Sequence, residues 1–348
     1  MSVLRASGMG HRVAFEVPAR GAAMLAALVG AIGALLLASL ALGSADVGLG
    51  DALAALVGTA SERADLVATE FRLPRALTAL LAGGLLALSG ALLQGTTLNP
   101  LADPALVGVS QGAGLAVIVL AVLVPAAPDA WRAPAAFGGG MAAAAAILCL
   151  TGIRAGGAQT RFLLTGIGLA AFLTAMTTAL LTYGRISDAH EALGWLAGSV
   201  RSASWDEVQR SALATVAALA ICVLAARPLA ALRLGDDLAA SLGHRVTRAR
   251  TGLLLASVAL ASASVSVVGP VAFVGLLAPH AARRLARTGP GLHLALTWAV
   301  GACLAAGADL AGRTAFGPVQ VPAGLVTALV GAPCFALLML RTHRKETP

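Results

Sequence analysis

Charge is what this chain has least of. Only 11% of its 348 residues are charged, against about 25% in a soluble domain. Meanwhile 58% are hydrophobic and the mean hydropathy is +0.87. No soluble fold hides that much apolar surface, and apolar runs of about 20 residues recur along the chain, so it predicts a polytopic helical membrane protein. Lysine is nearly absent. Lys345 is the only one, and no GxxxxGK[ST] phosphate loop surrounds it, which excludes an ATP-hydrolysing pump in one chain. Carboxylates inside the apolar runs are scarce, which argues against a proton- or sodium-coupled carrier. Asp309 is the main one. Arg313, four residues on, lies on the same helix face and predicts a self-neutralised pair. Aromatics make up 4%, and no basic groove with interleaved rings accompanies the net charge of +8, so nucleic acid is not an expected partner. Cys149, Cys222, Cys303 and Cys334 stand singly in apolar runs and suggest neither a disulfide framework nor a metal site. His11, His190, His244, His293 and His343 have no partners at ligand spacing.

What is present is alanine, glycine and leucine, cut by prolines and polar clusters into ten apolar segments. They run approximately 21–43, 75–95, 104–125, 134–153, 162–183, 206–226, 251–268, 271–286, 293–313 and 322–341. The first is too long for a signal-peptide core. The eighth is short and would begin within the bilayer. With the N-terminus cytoplasmic, 16 of the 24 basic residues fall inside, among them Arg5, Arg12, Arg20, Arg154, Arg161, Arg341, Arg344 and Lys345. Arg63, Arg72, Arg75, Arg132, Arg185, Arg201, Arg210 and Arg313 fall outside, and the bias predicts both termini on the cytoplasmic side. Glycine runs such as Ala82-Gly83-Gly84, Gly138-Gly139-Gly140 and Gly166-Ile167-Gly168 predict close helix crossings.

The longest charged interval, 227–250, contains Arg227, Arg233, Arg245, Arg248 and Arg250. It also carries a short amphipathic signal from Asp236 to Leu242, closed by Gly243. Acids suit a helix N-terminus and glycine a helix stop. So short a helix is not stable alone and predicts a docking surface. Two breaks interrupt the apolar pattern in a similar way: Gln94 through Asn99-Pro100 to Asp103-Pro104, and Gly269-Pro270 followed by Pro279-His280. Interruptions at corresponding places in two halves predict an inverted repeat with the path or gate near Gln94, Asn99, Pro100, Pro279 and His280. Asp103 would cap the next helix. Trp195 and Trp205 suit interfacial anchoring.

Several stretches resemble the permeases of FecCD-type ABC transporters, importers of iron–siderophores, haem and cobalamin. They are Arg72-Leu-Pro-Arg75; Gly90, Gln94 and Asn99-Pro100-Leu-Ala-Asp103-Pro104; and Gly108 with Gly112-Ala113. Others are Leu234-Gly235-Asp236 with Ala239 and Leu242-Gly243; Gly269-Pro270 to Pro279-His280 and Arg283; and Gly301, Asp309, Arg313, Pro322, Gly324 and Gly331-Ala-Pro333. The resemblance covers about 46–341. Gln320 departs from it, standing where the family usually has glutamate, and the segment 283–290 is more basic than usual.

The resemblance implies an all-α, type II importer permease of about ten transmembrane helices in a bacterial inner or plasma membrane. It would have a tail at 1–20, one permease domain at 21–341 and a second tail at 342–348. It implies no cofactor and no enzymatic activity of its own. Two cytoplasmic ATPases would dock on Leu234, Gly235, Asp236, Ala239, Leu242 and Gly243. An extracytoplasmic binding protein would meet Arg72, Arg75 and Arg313. A second permease chain, a copy or a paralogue, would complete the path. Trp195 to Val200 is similar to the siderophore members; haem and cobalamin are the alternatives, with a secondary carrier or channel as the rival class.

Overall fold

A computed structural model describes residues 3–6, 15–43, 47–151, 158–183, 192–315 and 319–343. Arg12, Arg154, Arg185, Arg344 and Lys345, used above for orientation, lie outside these, as do His11 and His190. A small antiparallel hairpin, β1 (Val3–Ala6) with β2 (Phe15–Pro18), occupies the segment that the sequence predicts as a plain tail. From there on the described chain is helical. In order come α1 (Ala19–Ala41), α2 (Leu49–Leu56), α3 (Glu62–Thr97), α4 (Val109–Leu123), α5 (Arg132–Thr151) and α6 (Ala158–Tyr183). They are followed by α7 (Trp205–Leu232), α8 (Asp236–Ser241), α9 (Val246–Val268), α10 (Val274–Leu285), α11 (Pro290–Thr314) and α12 (Ala323–His343).

Every predicted apolar segment contains a helix. Seven helices among the described residues are long and apolar enough to cross a membrane, and α4 and α12 carry shorter apolar stretches. At 12 residues α10 is the shortest of the ten, because 269–273 stays irregular until Phe273. Two elements escaped the sequence. The second segment begins earlier than predicted, at Glu62, through a π-helical stretch Leu66–Arg72. Ahead of it α2 buries Ala52 and Ala55 and exposes Leu49, Leu53 and Leu56. Its apolar outer face suits a helix lying in the membrane interface.

Helix α3 is the axis of the bundle. Nearly every side chain from Ala76 to Thr97 is buried, against α11, α9, α7 and α10. Lipid offers no hydrophobic force between helices, so close approach and hydrogen bonds decide who packs with whom. At the α3–α11 crossing a Cβ on Gly83 would lie 2.4 Å from the Gly301 carbonyl, and one on Gly301 2.5 Å from that of Gly83. Gly112 and Gly139 do the same between α4 and α5. Gly138 and Gly168 face open space and serve no such contact. Between α3 and α9 the Ser257 hydroxyl donates to the Ser89 carbonyl at 2.8 Å, and Ser264 to that of Ala82 at 2.9 Å.

The tightest approach is between α3 and α10, where a Cβ on Gly90 would fall 1.8 Å from the Gly275 carbonyl oxygen. Neither backbone can yield without moving a helix. Gly90→Val is expected to cost at least the upper end of the usual ~1–3 kcal/mol for overpacking. It should remove most of the monodisperse protein in detergent size-exclusion. Gly307→Ala, with nothing within 4 Å of the new methyl, should behave as wild type.

Candidate functional site: a break-to-break joint, a leucine stripe and an arginine cluster

The two predicted breaks meet. Helix α3 ends at Leu98, whose φ of 50° is left-handed, and α10 starts from Phe273 at φ 67°. They are the two non-glycine residues with positive φ among those described. Bulky side chains at such angles are strained and persist only where surroundings hold them. Gln94 supplies much of the hold. Its side-chain amide donates to the carbonyls of Ala102, Gly275 and Leu276, each at 3.3 Å, spanning both breaks. Its oxygen accepts from the Arg283 guanidinium at 2.7 Å. Asp103 accepts from the backbone N–H of Ala105 at 3.0 Å and from that of Phe273. As predicted it caps, but it caps the short 3-10 turn Pro104–Val107 and the other break together; α4 starts only after Gly108. Asn99 closes its own turn, accepting from Leu101 N–H at 2.9 Å.

The 195–200 segment is wedged into the second break. Ser199 N–H donates to Val268 O at 2.8 Å, and Gly324 N–H to Gly198 O at 2.9 Å. Gly198, at φ 68°, leaves no room for a Cβ against the Pro270 carbonyl 2.0 Å away. Gly331 on α12 gives its space to the Phe273 ring. Thus the start of α12 and the second break form one packed unit.

Beneath the joint lies a cavity of about 510 Å³. Gln94, Pro100 and His280 line it, with Arg233, Arg283, Arg284 and Arg287. Asn99 is half-buried beside it and Pro279 is buried in α10; neither forms its wall.

At the same end of the bundle α8 projects between α7 and α9. Gly235 (φ 95°) and Gly243 (φ 84°) turn the chain on either side. Asp236 is held by Arg250, whose guanidinium donates at 2.9 and 3.2 Å. Ala239 is fully buried against the bundle. Leu234, Leu238 and Leu242, four residues apart, are 56%, 56% and 63% exposed. Leu238 lies on α8, Leu242 at its C-terminal end and Leu234 in the turn before it, and all three are exposed among the described residues. The sequence singled out Leu234 and Leu242 but missed Leu238, although the period-four spacing is visible in it.

At the opposite end stand Arg72, Arg75 and Arg313. The expected Asp309–Arg313 pair is present, but Asp309 has a second and closer partner. Arg75, on α3, forks onto Asp309 with N···O distances of 2.8–3.0 Å, while Arg313 Nε stays 3.8 Å away. The guanidinium fork matches a carboxylate geometry that an i,i+4 side chain on Asp309's own helix does not reach here. Arg75 also donates to Gln320 Oε1 at 3.0 Å. Arg72, 5% exposed, donates to the carbonyls of Leu40, Ala41 and Val47. Arg313, 9% exposed, donates to the Leu42 carbonyl at 2.8 Å and to Ser39. Apart from that of Val47, which precedes α2, these are carbonyls that the end of α1 leaves without helical partners. The cluster therefore clamps α1 to α3 and α11.

Seven helices of membrane-crossing length and composition among the described residues make this a multi-pass membrane protein. The sequence pattern of the FecCD transport family matches residues 29–341, and the chain belongs to that family. It is 40% identical over 322 residues to the probable siderophore transport system permease protein YfhA of Bacillus subtilis, covering 91% of this chain and 94% of that one. It is 39% identical to the achromobactin transport system permease protein CbrC of Dickeya dadantii, covering 88% of each. A solved inward-facing structure of a metal-chelate type ABC transporter superposes with a TM-score of 0.79 at 25% identity, over 92% of this chain and 99% of that one.

Proposed function

We propose that this chain is the membrane-spanning subunit of a binding-protein-dependent ABC importer for ferric siderophores. One observation carries the energy-coupling part. A chain with no nucleotide loop presents an anchored turn and helix whose leucines, Leu234, Leu238 and Leu242, are exposed. A cytoplasmic ATPase subunit, two per transporter, covers them. The siderophore assignment is supported by the relatives named for siderophore and achromobactin transport. In this reading residues 21–341 form one permease domain of ten spans in the bacterial inner or plasma membrane, both termini cytoplasmic. Two such chains, copies or paralogues, enclose the path. The exposed faces of α6 and α12 suit that contact. Thr174, Thr178 and Thr182 on α6 expose a hydroxyl ladder, each bonded to the carbonyl four residues back.

The joint around Gln94 is proposed as the gate, because the two strained residues flank segments that one amide ties together, so that they can rearrange together. Cysteines placed at Asn99 and His280, in a background without the native four, are expected to react with a small water-soluble thiol reagent in at least one nucleotide state. Protection in every state, with lipid-soluble reagents reacting instead, would contradict that role.

The outer binding protein is proposed to dock over Arg72, Arg75 and Arg313. Three guanidiniums gather there, with Asp309 shared between Arg75 and Arg313, and such a concentration of basic groups suits an acidic partner surface. Because the arginines are tied to the chain itself, their effect on docking is through that field and through the shape of the α1–α2 connection. Co-purification tests the whole reading. The tagged chain should retain its ATPase without substrate and its binding protein in a salt-sensitive manner. Retention of neither would refute it.

A further inference from the structure

The cavity beneath the joint has a chemistry that transport of a cargo along a path between two chains does not require. Arg233, Arg283, Arg284 and Arg287 all contribute to its walls and no carboxylate does. None of the four is in an ion pair among the described residues. Arg233 and Arg283 are close enough for their like charges to act on one another and on buried His293. Two polar side-chain atoms are also left over. The His280 Nε2 and the Thr288 hydroxyl are buried, line the cavity and have no hydrogen-bond partner.

Arginines near a cytoplasmic helix end often only complement the helix dipole or satisfy the inside-positive bias. That accounts for their sign. It does not account for two buried polar atoms in residues of the cavity wall that lack partners, each costing free energy while unmade. The 25-residue α11 starts here too, behind Gly289, which offers its first N–H groups no side-chain cap. An anion with several acceptor oxygens satisfies all of these at once.

We propose that this cavity binds the phosphate of an anionic phospholipid from the leaflet on the Asp236 side. Depth and lining favour a lipid over a free ion. The cavity sits at the level where α1 begins, since Gly21 packs against Thr288 and Leu292. On the proposed topology that is the headgroup level of the cytoplasmic leaflet, where basic pockets between helices meet anionic headgroups. Ala91, Gly95 and Leu98 supply an apolar wall beside the charges, suited to the glycerol portion. A headgroup there would bridge α3, α10 and α11 directly below the joint. The inference is independent of the cargo.

The full chain in nanodiscs of phosphatidylcholine with graded phosphatidylglycerol tests it, with retained lipid read by native mass spectrometry. Phosphatidylglycerol should be retained over phosphatidylcholine. The double variant Arg284→Gln, Arg287→Gln removes two exposed arginines and should weaken retention roughly thirtyfold. Arg248→Gln, at the same end but outside the cavity, should not. Inorganic phosphate in excess should fail to displace the lipid. Equal retention of the two lipids would overturn the proposal, as would an unaffected double variant or an equal loss in the Arg248 control. Displacement by inorganic phosphate would make free phosphate the occupant and overturn the lipid assignment.

Discussion

Asp309→Ala is expected to be the most destabilising polar substitution in the chain. It would leave Arg75, 12% exposed, with its fork unpaired, and take away the nearest carboxylate to Arg313. Breaking a buried pair from one side costs about 3–5 kcal/mol, because the remaining charge is uncompensated. The clamp on α1 lies in the same cluster, so the loss should spread to the Ser39–Leu42 contacts. Thermal unfolding in detergent, followed by tryptophan fluorescence, should show a large fall for Asp309→Ala. Asp309→Asn should fall less, since it keeps an acceptor. Gln320→Glu should be neutral or stabilising, because it puts a carboxylate where Gln320 already accepts from Arg75. An Asp309→Ala protein that unfolds like wild type would remove the cluster from the account of stability.

The largest functional effect is expected at the leucine stripe. Leu238→Asp with Leu242→Asp places two charges on a face that the free chain exposes to water, so folding and insertion should be unchanged. An apolar contact with an ATPase would lose its centre. Truncations at interface hot spots cost about 2 kcal/mol or more each, and burying unpaired carboxylates costs further. Binding of the ATPase should drop by more than tenfold and substrate-coupled uptake should vanish. Gly243 makes a poorer target, since its φ of 84° strains any replacement and would confuse folding with docking. Normal ATPase affinity in the double variant would move the coupling surface elsewhere.

Much of this was legible in the chain because membrane helices are written in composition. Ten apolar segments, the charged 227–250 interval and the paired breaks all follow from cuts at prolines and charges. Close crossings at Gly83 and Gly139 follow from small residues alone. What the sequence could not show was who pairs with whom across helices. Asp309 does pair with Arg313, the i,i+4 neighbour visible in one dimension, but its closer partner, Arg75, is 234 residues away. Gln320 looked like a simple departure, yet it occupies a place on Arg75. The burial of Arg72 and Arg313 by the carbonyls of α1 was equally hidden, since a helix end needing donors carries no residue signature. Helix α2 was missed because its apolar face is only two turns long. Leu238, by contrast, could have been found from its spacing.

The central claim is that transport through this chain is driven by a separate ATPase and fed by a separate binding protein. Proteoliposomes containing the permease, its ATPase and its binding protein, loaded outside with an iron-labelled ferric siderophore, test it most directly. Uptake should require ATP and all three components, survive collapse of proton and sodium gradients, and disappear with Leu238→Asp, Leu242→Asp. Uptake by the permease alone, driven by an imposed ion gradient without ATP, would contradict the account.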